Sequence, residues 1–160
     1  MFQAGDKIVH PMHGAGIVEG IVERKINGVV RTYYSLKLPV RAMVVMVPTE
    51  GSDEIGLRPV IGREESDQVI EALPTIEATM TSNWNRRYRE NMERMKSGNL
   101  FEVARVVKGL TQRDNKRGLS TGERKMLHSA KQILISELVL SQDSSYEDIE
   151  ARINHSLIQS

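Results

Sequence analysis

Near residue 60 the hydrophobic pattern of this chain changes period, and that change restricts it to a small all-β module followed by a helical one. Before that point apolar residues come in short β-branched runs punctuated by Gly and Pro. These are Lys7-Ile8-Val9-His10, Gly16 to Val22, Val29 to Lys37 and Met43 to Val47. Asn27-Gly28 between two of the runs predicts a hairpin, because a type I′ turn needs positive φ at both central positions. Beyond residue 60 the apolar spacing becomes helical. Leu100, Val103, Ala104, Val107 and Leu110 form one stripe, and Met126, Leu127, Ala130, Ile133, Leu134 and Leu138 form another.

Strands this short in so few residues predict a strongly bent barrel of the Tudor or SH3 kind. The helices are signposted by capping boxes at Asn99-x-x-Glu102, Ser120-x-x-Glu123 and Ser144-x-x-Glu147, with Gly98 and Gly118 where preceding helices should end. A weaker helix over Asp67–Leu73 should stop before Pro74. The first strong helix opens at Asn83-Trp84, and the last runs from Tyr146 to about Ile158. The expectation is therefore an α+β, two-domain protein. Residues 1–62 form the barrel, and residues 63–160 form a compact bundle of about five helices, joined by the Pro- and Gly-containing stretch from Pro48 to Gly62.

The overall formal charge of +1 conceals a strong asymmetry. Residues 83–132 carry 13 Lys+Arg against 5 Asp+Glu, a net of +8, while residues 61–82 and 133–160 each carry 1 against 5, a net of −4. A basic block between acidic ones points to a polyanionic partner. With no cysteine, disulfides, thiolate metal sites and thiol nucleophiles are excluded. The amino terminus has no secretory signal pattern and no apolar run reaches the ~20 residues of a membrane span. The protein reads as cytoplasmic and nucleoid-associated, with no cofactor and no membrane partner. His13-Gly14-Ala15-Gly16 lacks the Gly-Lys-Ser/Thr of a phosphate loop and reads as a bend. His128 and His155 have no acidic partners at metal-ligand spacing, and no nucleophile–base pair stands out, so neither a metal site nor catalysis is expected.

The basic block opens with Asn83-Trp84-Asn85-Arg86-Arg87-Tyr88-Arg89, which holds the only tryptophan beside three arginines. Arginine binds phosphate through a fixed fork of donors, and an apolar ring can wedge against bases. A tryptophan in the first turn projects from the end of its helix. Trp84, Tyr88, Met92 and Met95 also form one continuous stripe, so a core position fits the periodicity too. Further cations follow at Arg105, Lys108, Arg113, Lys116, Arg117, Arg124, Lys125 and Lys131. A free-standing nucleic-acid binder would satisfy this pattern as well as a tethered one.

A series of motifs then narrows the reading. They are Phe2-x-x-Gly5-Asp6-x-Ile8-Val9-x-Pro11-x-His13-Gly14-x-Gly16, Tyr34-x-Leu36-Lys37, Val47-Pro48, Gly56-Leu57-Arg58, Trp84-x-Arg86-Arg87-Tyr88, Ser97-Gly98, Leu119-Ser120-x-Gly122-Glu123-Arg124-Lys125-Met126-Leu127 and Ile133-Leu134-x-Ser136-Glu137-Leu138. In this order and spacing the chain resembles the CarD/CdnL family of bacterial transcription regulators along nearly its whole length. The resemblance implies a Tudor-like domain docked on the lobe (protrusion) of the RNA polymerase β subunit, and a helical domain over promoter DNA at the upstream edge of the −10 element. It implies that Trp84 wedges into the minor groove at the edge of melted DNA, with Arg86, Arg87, Arg89 and Arg124 on the backbone; Lys125, beside Arg124, is a further candidate DNA contact. The expected consequence is a more stable open promoter complex, especially at ribosomal RNA promoters, delivered by a monomer. On the polymerase-binding face Arg24 fits one of two arginines carried by some relatives. Met46 stands at the second, so a charged contact has become apolar. Apolar contacts from Met43 to Val47, including Val45 and Val47, together with pairing at an exposed strand edge, are expected to compensate.

Overall fold

Asn27 and Gly28 adopt φ of 53° and 78°, so the expected turn closes a long hairpin between β2 (Gly14–Ile26) and β3 (Val29–Leu38). The structure is a computed structural model and describes residues 1–158. Residues 159 and 160, the end of the expected second domain, lie outside the described residues. β1 (Lys7–His10), β4 (Met43–Pro48) and β5 (Arg58–Pro59) complete an antiparallel five-stranded sheet in the order β4-β3-β2-β1-β5. A register shift between Val18 and Gly20 interrupts the β2–β3 ladder. Such a bulge bends a sheet, which lets this one curl over its own apolar face. Ile8, Val18, Tyr34, Leu36, Leu38, Val47 and Leu57 fill that face. The β2–β3 ladder runs well past the last β4 partner, Tyr33 opposite Pro48. Thr32 still bonds Thr49 just after β4, and Arg24 to Arg31 project beyond it as a two-stranded ribbon.

A single turn of helix, α1 (Ser52–Ile55), falls in the linker, flanked by Gly51 and Gly56 in the left-handed region. Five helices follow: α2 (Arg63–Ala72), α3 (Trp84–Lys96), α4 (Leu100–Arg117), α5 (Thr121–Gln142) and α6 (Tyr146–Ile158). Asn83, Asn99 and Ser120 each cap their helix by accepting a backbone amide. The last cap differs from expectation by one residue. Ser145 accepts from the amide of Asp148 at 3.1 Å, so Ser145-x-x-Asp148 replaces Ser144-x-x-Glu147. α2 begins four residues earlier than its apolar pattern, because its first turn, Arg63-Glu64-Glu65-Ser66, is wholly polar, with only Ser66 buried.

The sheet and the helices are fastened together along α5. Gly14 presses on that helix: a Cβ there would lie 2.6 Å from Ser136 Oγ, and φ is +90°. Only glycine satisfies both conditions. The neighbouring amide of Ala15 donates to the same Ser136 Oγ at 2.9 Å. One residue on, the fully buried Glu137 accepts both guanidinium branches of Arg58 at 2.7 Å and the amide of Ile61 at 3.0 Å. Lys7 Nζ donates to the carbonyl of Leu140 at 3.1 Å. Val9, Ala15 and Leu140 close an apolar seam beside these bonds. The turn lies just before the glycines, at residues 11–13, and the glycine-rich start of β2 and the Ser136-Glu137 motif are two halves of one joint.

Candidate functional site

α3 and α5 bring their amino-terminal turns together at one end of the bundle. Trp84, the first residue of α3, is 42% exposed. Its Nε1 donates to Ser120 Oγ, the cap of α5, at 3.0 Å. Tyr88 stacks beneath the indole with centroids 5.1 Å apart and planes 16° from parallel. The stripe seen in the sequence therefore runs from an exposed end at Trp84 to a buried one at Met95, and the indole sits at the rim. The core position that periodicity allowed for Trp84 is not the one it takes.

The arginines beside it separate sharply. Arg86 is exposed and ion-paired to Glu90 at 2.9 Å, one helical turn away. Arg89 is exposed and points away from the core. Arg87 corrects the expectation of a backbone contact. It is 2% exposed, and its Nε and Nη2 donate to the two carboxylate oxygens of Glu123 at 2.7 and 2.9 Å. Its Nη1 reaches the carbonyls of Thr81 and Ser82. All three nitrogens of this buried guanidinium have partners inside the bundle, so it cannot reach phosphate without leaving the core. The hydrogen bonds from Arg87 hold the Glu123 carboxyl below the ordinary carboxylate range. The same bonds raise the pKa of Arg87.

Arg124 and Lys125 are exposed on the first turn of α5, next to Ser120. Arg124 also donates to the carbonyl of Leu119 at 3.1 Å, which holds it close to the helix start. Arg113, Lys116 and Arg117 line a cleft of about 240 Å³ against Ala78–Met80. They extend the positive surface from the end of α4 toward the indole. Other cations of the basic block are engaged elsewhere. Lys108 is buried, and its Nζ donates to the carbonyls of Pro74 and Ile76 at 2.9 Å each. Burial lowers its pKa. Arg105 donates to the carbonyl of Glu77, and Lys131 donates to Asn154 at 3.2 Å. The structure thus brings Trp84, Arg86, Arg89, Arg124 and Lys125 to one end of the bundle and withdraws Arg87.

The second surface lies on the sheet. β4 is an edge strand, and Met43, Val44 and Met46 are exposed on it. Val47 is buried and Val45 packs against the sheet core. These two valines, expected as polymerase contacts, offer backbone at the edge and not their side chains. Strand alternation is the cause, since successive side chains point to opposite faces. Arg24 is exposed on the projecting ribbon, directly opposite Arg31. Like charges facing each other across strands are unfavourable on their own.

Two family models match the chain. Residues 2–61 match the CarD-like/TRCF RID domain, and residues 68–154 match the CarD C-terminal domain. The chain belongs to the CarD-like family. It is also 34% identical over 151 residues to "Putative transcription factor YdeB" of Bacillus subtilis (strain 168), a match that covers 94% of this chain and 99% of that protein. CarD-like proteins are transcription factors and not enzymes. Among the described residues no group of three or more His, Asp or Glu side chains is placed to hold a metal ion, and no helix is long and apolar enough to cross a membrane. The CarD-like motifs quoted from the sequence coincide with the joint between Arg58, Gly14 and Glu137, and with the Trp84–Ser120 rim.

Proposed function

We propose that this CarD-like protein docks on the lobe (protrusion) of the RNA polymerase β subunit and stabilises the open promoter complex with Trp84 at the upstream edge of the −10 element. The observation that carries this reading is the half-exposed indole, held at the convergence of two helix starts in the basic block. Docking uses the free edge of β4, whose exposed Met43, Val44 and Met46 supply apolar contact, together with Arg24 on the ribbon. An added strand gains main-chain hydrogen bonds along such an edge. The change from arginine to Met46 then removes one charged contact and leaves strand addition intact.

A basic surface alone binds DNA without regard to sequence and weakens steeply with salt. Tethering supplies the selectivity. Polymerase holds the bundle over one DNA segment, so contacts that are weak in free solution become sufficient. Trp84 favours the melted state only through better contact with the fork than with closed duplex, because only differential affinity shifts an equilibrium. Arg86, Arg89, Arg124 and Lys125 hold the backbone on either side. The protein acts as a monomer, with its effect felt especially at ribosomal RNA promoters.

A mobility-shift assay with promoter DNA tests the tether. The expected outcome is weak, salt-sensitive binding by the protein alone and a stable supershift when polymerase is present. Tight binding that is indifferent to polymerase would favour a free-standing nucleic-acid binder instead.

A further inference from the structure

Four side chains cross-link the starts of α3 and α5 in a closed ring. On α3, Trp84 and Arg87 lie one turn apart. On α5, Ser120 and Glu123 do the same, and each pair faces the other. Ser120 Oγ accepts the indole N–H of Trp84 at 3.0 Å and the amide of Glu123 at 3.2 Å, which occupies both of its lone pairs. Glu123 in turn takes the guanidinium of Arg87. Tyr88 covers one face of the indole. Gly122 lies against the same ring: a Cβ there would be in van der Waals contact with Trp84 Cζ2 at 3.5 Å.

We propose that Ser120 is a positioning residue for Trp84: it holds the indole, by its N–H, in a single orientation on Tyr88 before DNA arrives. The inference rests on the wedge reading above. A tryptophan at the rim of a helix would otherwise sample several rotamers, and ordering a rotamer-rich side chain on binding costs affinity. Here that ordering is done during folding. Ser120 has a second role as the cap of α5, so a loss of function on mutation could follow from either role. Glycine separates them. It is nearly as good a cap as serine but offers no acceptor for the indole, whereas threonine retains both functions.

The test uses the full-length protein, in which Trp84 is the only tryptophan and therefore the only indole fluorophore. Indole anisotropy is measured in the free protein for Ser120→Ala, Ser120→Gly and Ser120→Thr, followed by open-complex lifetime with polymerase and promoter. Lower anisotropy is expected in the Ala and Gly variants and wild-type anisotropy in the Thr variant. Lifetimes should fall by roughly threefold to tenfold in the first two and recover in the third. Unchanged anisotropy and lifetime in Ser120→Gly would overturn the proposal and leave Ser120 as a cap alone. Trp84→Ala serves as the reference. If it leaves lifetime unchanged, the wedge reading fails, while the anisotropy of the Ser120 variants still decides whether the serine holds the ring.

Discussion

Arg87 and Glu123 form a buried bidentate ion pair, 2.7 and 2.9 Å long, that joins α3 to α5 one helical turn on from Trp84. Two arginines adjacent in sequence therefore do opposite jobs: Arg86 faces solvent and Arg87 holds the bundle together. Removing one member of a buried pair leaves the other charge unpaired, which costs ~3–5 kcal/mol. Arg87→Ala should lower unfolding free energy in urea by about that amount, whereas Arg86→Ala should change it by less than ~0.5 kcal/mol. Equal effects from the two substitutions would contradict the burial of Arg87.

The exposed arginines should register in salt dependence instead. Each phosphate neutralised contributes about −0.9 to the slope of log K against log salt. Replacing Arg86 and Arg89 together by alanine should flatten the slope for promoter binding by roughly two units without lowering Tm. A slope that does not move would mean that neither side chain touches the backbone.

The joint along α5 makes the position of the sheet relative to the helices a matter of stability as well as geometry. Arg58→Ala strands the fully buried Glu137 with only the Ile61 amide as partner. The predicted loss is ~3 kcal/mol or more, read by calorimetry. Gly14→Ala should also destabilise strongly, since it meets both a positive φ and Ser136 Oγ at 2.6 Å. A Gly14→Ala protein as stable as wild type would show that the sheet does not press on α5.

His10 supplies a pH signature. Burial, helped by the nearby His13, lowers its pKa from 6.5 to about 4. The neutral ring is needed because Nδ1 accepts the amides of Met12 and His13 at 3.0 and 3.2 Å. The folded state binds the proton less readily than the unfolded state, so stability should decline as pH falls from about 6.5 toward 4. His10→Asn, which can present an oxygen to the same amides, should flatten that decline in a Tm-against-pH series. An identical slope in the variant would assign the acid sensitivity to other groups.

Local structure was legible in the sequence wherever it is decided locally. The Asn27-Gly28 turn and the Asn99 and Ser120 caps follow from backbone conformation and from hydrogen bonds that span two or three residues. The family motifs located the joint and the rim without saying what they do. The burial of Arg87 is not legible in the sequence, because its partner lies 36 positions away and helical spacing cannot tell a guanidinium facing solvent from one facing a buried carboxylate. Trp84 was ambiguous for a related reason, since it and Tyr88 share a stripe whose depth changes along α3. The joint of Arg58 with Glu137 spans 79 positions and was equally invisible to periodicity. Val45, Met46 and Val47 read in sequence as one docking run, but the two-residue period of the strand turns Val45 and Val47 toward the sheet core and leaves Met46 outside.

The account depends on the indole at the rim of the bundle acting on melted DNA. Open complexes formed with polymerase at a ribosomal RNA promoter and challenged with a DNA competitor measure this directly, with wild-type protein compared against Trp84→Ala. The prediction is an open-complex lifetime close to that of polymerase alone for Trp84→Ala, with its binding to polymerase unchanged. A Trp84→Ala protein that prolongs the lifetime as much as wild type would contradict the account.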